Sequence, residues 1–193
     1  MSVRGRKPDP AVDRKIKEAA VGLIMAKGLD FTMDEVAAAA GVGRASVFRR
    51  YGAKRDLLLA TLAELMDTQV AYPDIGSLEG DLIVVARDTF AAWEEPSIAH
   101  VAREVFGEAA RDPAVAELMR TAMRNRMARA WELYDRAIAR GELPEDADLW
   151  IMSDMLAGVA AYRGVLGIPL PDPAPFVRAL MHGFALKRDD EQT

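Results

Sequence analysis

Five cationic side chains lie close together in the first third of the chain, and the chemistry they offer is recognition of an anion. Arg44, Arg49, Arg50, Lys54 and Arg55 fall within twelve residues of one another. Arginine matches the O6 and N7 acceptors of guanine, and both residue types pair with phosphate oxygens. Arg44 is therefore the candidate for a base edge, and the other four offer a cationic rim for a nucleic-acid backbone.

The helical spacing of this segment decides which side chains face away from a core. At about 100° per residue, Val47 and Tyr51 share the inward face of a short helix, so the side chains between them point outward or to the flanks. The surface that would meet a nucleic acid then carries Ala45, Ser46, Phe48 and Arg49.

Two short helices joined by a tight turn must position these side chains. Thr32 followed by Glu35 is a capping-box pattern, and the Thr32 hydroxyl and helix N-terminus offer neutral donors for phosphate oxygens. Gly41 can adopt the positive φ that a tight turn needs. The pattern predicts a helix-turn-helix between Thr32 and Tyr51, with its second helix at about Arg44 to Arg50. The alternative is a three-helix bundle with a solvated basic face.

Apolar residues recur at helical spacing along the whole chain, and no strand-like alternation competes with them, so the fold class is all-α with about nine helices. We expect a first helix that ends near Gly28 as a left-handed cap, and further helices at about Leu78 to Trp93 and Ile98 to Ala109. The other predicted breaks lie at Gly41, Gly52-Ala53, Tyr72-Pro73, Asp112-Pro113, Gly141 to Asp146 and Gly167 to Pro173.

The charge of the chain changes sign along its length. Residues 1–58 carry twelve Lys and Arg against seven Asp and Glu, whereas residues 59–193 carry thirteen against twenty-three. A basic segment can follow phosphates while an acidic one stays off DNA. We therefore expect a DNA-binding domain over residues 1–58 and a separate body over residues 59–193. The basic segment Arg4 to Pro8 is either a minor-groove arm or a terminus that attracts DNA nonspecifically.

Several classes of function are disfavoured by composition. The chain has no cysteine and only two histidines, far apart, so we expect no metal and no cofactor. It has no phosphate-binding glycine loop and no nucleophile motif, so we do not expect an enzyme. It has no run of about 18 uncharged apolar residues and no apolar leader, so we expect no membrane partner and a cytoplasmic location. A helical protein-interaction adaptor remains the other alternative.

The stretch from Phe31 to Leu58 resembles the DNA-binding domain of the TetR (tetracycline-repressor) family of bacterial regulators. The matching residues are Phe31-Thr32, Val36-Ala37, Ala40-Gly41-Val42, Val47-Phe48, Arg50-Tyr51 and Lys54-x-x-Leu57-Leu58. The resemblance implies that the third helix enters the major groove, with Arg44, Ala45 and Ser46 at base-facing positions and Lys54 at a phosphate-facing one. It also implies a homodimer on a pseudo-palindromic operator, and an effector-binding and dimerisation domain over residues 59–193.

Four residues depart from the pattern of that family. Phe48 stands where tyrosine is common, which removes a phosphate hydrogen bond, and Arg50 stands where histidine is usual. Arg49 and Arg50 are candidates to replace the lost contact. Gly43 and Ala53 replace frequent serine or threonine caps, so both following helices are expected to begin without a side-chain acceptor.

The last two helices carry the predicted dimer interface. Small residues there let helices approach closely, and apolar residues cover several faces. The alternative is that they fill the core of a single chain. The predicted interface comprises Ala157, Gly158, Ala161, Phe176, Leu180 and Phe184.

A methionine-rich stripe on the longest helix suggests a pocket for a small, largely apolar effector whose binding would release a repressor. His100 is one polar group that could orient such a ligand. Ordinary core packing explains the same stripe equally simply. The candidate lining comprises Phe90, Trp93, His100, Phe106, Met123, Met127 and Trp131.

Overall fold

The computed structural model describes residues 9–66 and 72–183, and within them every regular element is an α-helix. The all-α prediction is confirmed. The helices are α1 Pro10–Lys27, α2 Met33–Ala40, α3 Arg44–Arg50, α4 Lys54–Met66, α5 Leu78–Glu94, α6 Pro96–Ala109, α7 Pro113–Ala139, α8 Leu149–Leu166 and α9 Pro173–His182. Helix α6 begins two residues before the predicted start, because proline is well tolerated in the first turn of a helix.

Helix α2 has both ends fixed by local hydrogen bonds. The Thr32 hydroxyl accepts from the Glu35 amide, and the Glu35 carboxylate accepts from the Thr32 amide at 2.7 Å, which completes the predicted capping box. At the other end Gly41 adopts a left-handed conformation with φ 63°. The Val42 amide then donates to the Ala37 carbonyl at 3.0 Å, which is the bond of a Schellman motif.

The end of α1 differs from the expected left-handed cap. Gly28 has the predicted positive φ, 71°, but its ψ of -150° lies outside the left-handed helical region. The Gly28 amide donates to the Ile24 carbonyl, and the neighbouring Leu29 amide donates to the carboxylate of Glu104 on α6. An acceptor from a distant helix therefore satisfies the chain where it leaves α1.

The first compact unit contains residues 9–66 together with residues 96–126. Val101 and Val105 of α6 and Val115 of α7 belong to the same apolar core as α1 to α4. Its fully buried side chains include Ile16, Ile24, Phe31, Val36, Val47, Leu57 and Leu62. Packing thus adds α6 and the start of α7 to the N-terminal helices, and a functional boundary at residue 58 stays a prediction.

A bidentate ion pair joins α4 to the start of α7 inside this unit. The Arg55 guanidinium donates to both oxygens of Asp112, at 2.7 and 2.9 Å. Asp112 also accepts from the Ala114 amide and so caps α7. These bonds hold the pKa of Asp112 below its usual value, with the Arg55 contact as the largest cause. Arg55 is therefore engaged within the fold.

The second compact unit contains residues 72–95 and 127–183. Phe90 of α5 meets Phe176 of α9 edge to face, with ring centroids 5.5 Å apart. A Cβ atom at Gly164 of α8 would overlap the indole of Trp93, so only glycine permits that approach. The buried side chains include Leu78, Leu82, Ala86, Met127, Leu133, Ala137, Leu156, Ala160 and Val177.

A polar network fixes the start of α5 in the second unit. Asp81 is fully buried, and one of its oxygens accepts from the Ile75 amide at 2.8 Å. Its other oxygen lies 4.0 Å from the Arg140 guanidinium. Glu142 accepts from the Leu78 amide and pairs with Arg140, and these contacts lower the pKa of the Glu142 carboxyl, Arg140 most of all. The amide bonds from Ile75 and Leu78 fix the chain where it enters α5, while the second oxygen of Asp81 accepts no hydrogen bond.

The capping box predicts a pH-dependent contribution to stability. Hydrogen bonds from Lys27 and then Thr32 lower the pKa of Glu35 from 4.5 to about 2. Because the pKa of Glu35 is lower in the folded chain than in the unfolded one, the stabilisation is present above pH 4.5 and is lost as the pH falls toward 2. Urea unfolding of the wild type and of E35Q should therefore give free energies that converge between about pH 5 and pH 2. Parallel profiles would contradict this assignment.

Candidate nucleic-acid interface

Helix α3 turns one face into the core and the opposite face to solvent. Val47 is fully buried and Tyr51 is 8% exposed. The Tyr51 hydroxyl donates to Asp13 of α1 at 2.8 Å, and burial, followed by this bond, raises the pKa of Tyr51. Ala45 and Arg49 are exposed, in agreement with the predicted orientation of the helix. The outward side of α3 is therefore available to a ligand.

Arg44 stands at the start of α3 with contacts on two sides. Its Nε lies 2.9 Å from a carboxylate oxygen of Asp34, the second residue of α2. Its guanidinium carbon lies 5.2 Å from the ring centroid of Phe48, one turn later on α3. Neither contact was predicted from the sequence. The spacing of four residues between Arg44 and Phe48 could have indicated the second one.

Arg49 and Arg50 differ in their surroundings although they are adjacent. Arg49 is exposed, and its nearest partner is the Ser46 hydroxyl at 3.5 Å. Arg50 donates to the Ser46 carbonyl at 3.2 Å and to the Asp9 carbonyl at 3.3 Å. Its guanidinium therefore links α3 to the residue that caps α1, and Arg49 is the more available cation of the two.

Thr32 and Lys54 lie at the beginnings of α2 and α4. Thr32 is exposed, and its hydroxyl and amide both contact the carboxylate of Glu35. The ammonium of Lys54 lies 4.8 Å from the ring centroid of the buried Phe31, a cation–π distance. The contact with the Phe31 ring holds the Lys54 ammonium near the N-terminus of α4.

The caps of α3 and α4 test the expected consequences of Gly43 and Ala53. Helix α3 begins at Gly43 without a side-chain cap, as predicted. At α4, Ala53 has no side-chain acceptor to offer, as predicted, but the Asp56 carboxylate accepts from the Ala53 amide at 3.1 Å. This is the reciprocal half of a capping box, formed without the serine that would accept from the Asp56 amide.

The candidate pocket residues fall in two compact units. His100, Phe106 and Met123 belong to the first unit, and Phe90, Trp93, Met127 and Trp131 to the second. Phe90 and Met127 are each 3% exposed and pack in the core of the second unit. The Met127 sulfur accepts from the Ser153 hydroxyl at 3.0 Å, and Ser153 lies 3.1 Å from the Tyr134 hydroxyl. Among residues 9–66 and 72–183, no group of three acids or histidines could hold a metal ion.

Helix α8 carries an exposed apolar stripe. At helical spacing its members fall on one face, opposite the buried Leu156 and Ala160. Gly158 lies on that face, and a Cβ there would meet nothing within 4 Å. The stripe comprises Ile151, Met155, Tyr162 and Leu166, which are 49–64% exposed. The sequence prediction named none of these four residues; on α8 it named Ala157, Gly158 and Ala161.

The remaining predicted interface residues occupy less exposed positions. Ala157 and Ala161 lie outside the α8 stripe and are half-buried. Phe176 contacts Phe90 of the same chain, and Leu180 is half-buried on α9. Phe184 lies outside the described residues, as does the segment Arg4 to Pro8.

Helix α8 is also the one described helix that could cross a membrane by length and composition. Its 18 residues have a mean hydropathy of 1.2, and 22% of them are buried inside the chain. The helix nevertheless places Leu149, Leu156 and Ala160 in the core of the second unit. Core helices of soluble proteins satisfy the same criterion, so it is weak evidence for a membrane.

Comparisons with known proteins agree with the geometry. The chain is 29% identical to an uncharacterised HTH-type transcriptional regulator, YdeS, of Bacillus subtilis. The match extends over 164 residues, which are 84% of this chain and 82% of that protein. The crystal structure of the TetR family transcription regulator SCO0332 covers 91% of this chain and 99% of its own, with a TM-score of 0.72 at 23% identity. The structure of FadR from Bacillus subtilis in complex with stearoyl-CoA covers 90% of this chain and 100% of its own, with a TM-score of 0.63 at 16% identity. The two structures show the fold.

Two family models divide the chain between them. The model of bacterial regulatory proteins of the tetR family matches residues 16–61, which contain α2, α3 and the start of α4. The model of the tetracyclin repressor-like C-terminal domain matches residues 72–182, more than half of the chain. Members of this family regulate transcription and are not enzymes. The chain belongs to the TetR family and is a DNA-binding transcription regulator with a helix-turn-helix.

Proposed function

We propose that two copies of this chain bind a pseudo-palindromic operator in double-stranded DNA and repress transcription until a small, largely apolar ligand releases them. The observation that carries the DNA part is the orientation of α3, which buries Val47 and exposes Ala45 and Arg49. A helix exposed in this way fits the major groove. We place the protein in the cytoplasm, with the DNA it binds.

The proposed contacts divide into base contacts and phosphate contacts. Arg44 is assigned to guanine, and Ala45 and Ser46 to the neighbouring base edges. Arg49 takes the phosphate contact that Phe48 lacks. Thr32 and Lys54 are also assigned to phosphate contacts. Arg50 joins them if part of its guanidinium leaves the two carbonyl groups on binding.

Alanine substitution of Arg44 and of Lys54 should separate the two kinds of contact. R44A should weaken operator binding by about 5- to 150-fold and relax the preference at one base, because a bidentate guanine contact contributes about 1–3 kcal/mol. K54A should weaken binding evenly across sequences and reduce the salt slope by about 1. Gel shifts and fluorescence anisotropy at several salt concentrations, on the DNA flanking the protein's own gene, measure both effects.

The matched control is R87A, which removes an exposed arginine on α5 that pairs with Asp88. It should leave affinity and salt slope unchanged. If R44A and K54A bind the operator as tightly as the wild type, with the same salt slope, the groove assignment fails. A wild type with no preference over random DNA would instead favour the interaction adaptor.

The exposed stripe on α8 supports the dimer. Four large apolar side chains on one helix face cost free energy while they contact water, and a second copy of the same face would remove them from it. Gly158 at the centre leaves room for a partner helix to approach. A membrane is the less suitable cover, because Asp154 is exposed on the same helix.

A charge introduced into the stripe should dissociate the dimer. Y162D places a carboxylate where a 64% exposed tyrosine would become buried, so the dimer dissociation constant should rise by at least about tenfold. The control I75D changes an equally exposed apolar residue of the second unit that lies outside α8. Sedimentation velocity at micromolar concentration compares the two. A wild-type monomer, or an unchanged Y162D dimer, would rule out this interface.

The ligand proposal rests on the apolar side chains of the second unit. Trp131 of α7 and Trp150 of α8 face each other with centroids 6.3 Å apart and remain partly exposed. The Ser153 and Tyr134 hydroxyls lie between the same two helices and could orient a polar group. The structurally similar FadR was solved with stearoyl-CoA, which makes long acyl compounds the first candidates to test.

A ligand of this class should raise the melting temperature, quench tryptophan fluorescence and release DNA at the same concentrations. At about 100 times its dissociation constant, a ligand that binds only the folded state stabilises it by about 2.7 kcal/mol. The screen should include fatty acids, acyl thioesters and small polar metabolites, with the variant W131F to locate the quenching. Stabilisation only by highly charged compounds that carry no long acyl chain would contradict a largely apolar ligand.

A further inference from the structure

We infer that Asp34 and Phe48 are positioning residues that hold the Arg44 guanidinium in the orientation that contacts guanine. The inference rests on the proposed operator binding and adds to it a specificity device. It assigns a role to an acid that would otherwise oppose DNA binding. It also gives Phe48 a function in place of the hydroxyl that it lacks.

Asp34 forms an ion pair with the Nε side of the Arg44 guanidinium. The carboxylate approaches Arg44 most closely at Nε, 2.9 Å away, and the pair bridges the start of α2 to the start of α3. The two side chains are 57% and 67% exposed, so the pair adds little to the stability of the fold. The same exposure places it on the surface that meets DNA. When DNA excludes water from this surface, the lower local dielectric strengthens the pair.

Phe48 gives the guanidinium a second contact, on the face of its ring. Arg44 and Phe48 are four residues apart on α3 and therefore share one face of the helix. The guanidinium carbon lies over the ring at 5.2 Å, and the ring is 38% exposed. A cation–π contact on the face of a ring occupies none of the guanidinium N–H groups. The contact thus restricts the Arg44 side chain without using its donors.

The two contacts together leave one edge of Arg44 for a base. With the carboxylate at Nε and the ring on one face, the two terminal nitrogens form the remaining edge. That pair of donors matches the O6 and N7 acceptors of guanine. An arginine that is already oriented loses less side-chain entropy on binding than a free one.

The carboxylate also explains why specificity rather than affinity is expected to change. An acid close to the DNA backbone repels phosphates, so Asp34 by itself weakens binding to every sequence. Its contact with Arg44 offsets that repulsion only where Arg44 finds guanine. Discrimination through an unfavourable element of this kind is a common source of specificity.

The test is selection of bound DNA from a random pool by full-length wild type and variants, followed by sequencing. The wild type should select guanine at one position in each half-site, and R44A should lose that preference. D34A and F48L should lower the guanine preference at the same position by about tenfold and leave the preferences at the other positions unchanged. F48Y keeps the ring and should retain the preference. D30A removes an exposed acid with no contact to Arg44 and is the matched control.

A double-mutant cycle supplies the decisive readout. If Asp34 acts through Arg44, D34A should have no further effect on base preference in the R44A background. The preference is a ratio between sequences bound by the same sample, so partial unfolding of a variant does not alter it. Unchanged base preference in D34A and F48L overturns the inference, whether or not D34A gains affinity for all sequences. Absence of any selected site for the wild type fails the proposed function instead.

Discussion

The tight turn after α2 is the constraint on which the exposed face of α3 depends. Gly41 takes a left-handed conformation, and the Val42 amide closes the turn on the Ala37 carbonyl. This geometry lets Val47 enter the core between α1, α2 and α4. Because a helix has only one inward face at that contact, burial of Val47 determines that Ala45 and Arg49 point outward.

The core that supports this turn is completed by residues far away in sequence. Val101, Val105 and Val115 pack with α1 to α4, and two polar contacts reinforce the same joint. Glu104 accepts from the amide after α1, and Asp112 pairs with Arg55 at the start of α4. The core that supports the exposed face of α3 therefore includes residues matched by the C-terminal family model. Because α6 packs directly against the N-terminal helices, a substitution in α6 can affect their packing.

The sequence determined the local features of the fold well, because their causes are local. The capping box of Thr32 and Glu35, the turn at Gly41 and both ends of α3 follow from residue types within a few positions of each other. The cap on Ala53 was missed although its acceptor, Asp56, lies only three residues away. The sequence showed that signal, but the family pattern drew attention to serine instead.

The candidate site was harder to predict where partners come from different helices. The Arg44–Asp34 pair and the bonds from Arg50 to Asp9 depend on how α1, α2 and α3 cross, which periodicity does not specify. The sequence shows the helical spacing of the apolar residues on α8, but it does not show which of them are exposed to solvent. Ile151 and Tyr162 have the same residue types as core positions, and only the placement of α5 and α9 decides which apolar face remains uncovered.

The close approach of Trp93 to Gly164 has a consequence for how this protein can vary. A methyl group at position 164 would occupy the space of the indole, whereas a smaller side chain at position 93 would leave a cavity beside the glycine. Neither residue can change alone without cost, but a compensating pair of changes can keep the packing. The two positions are thus packed as a pair, and protein engineering of α8 has to treat them together.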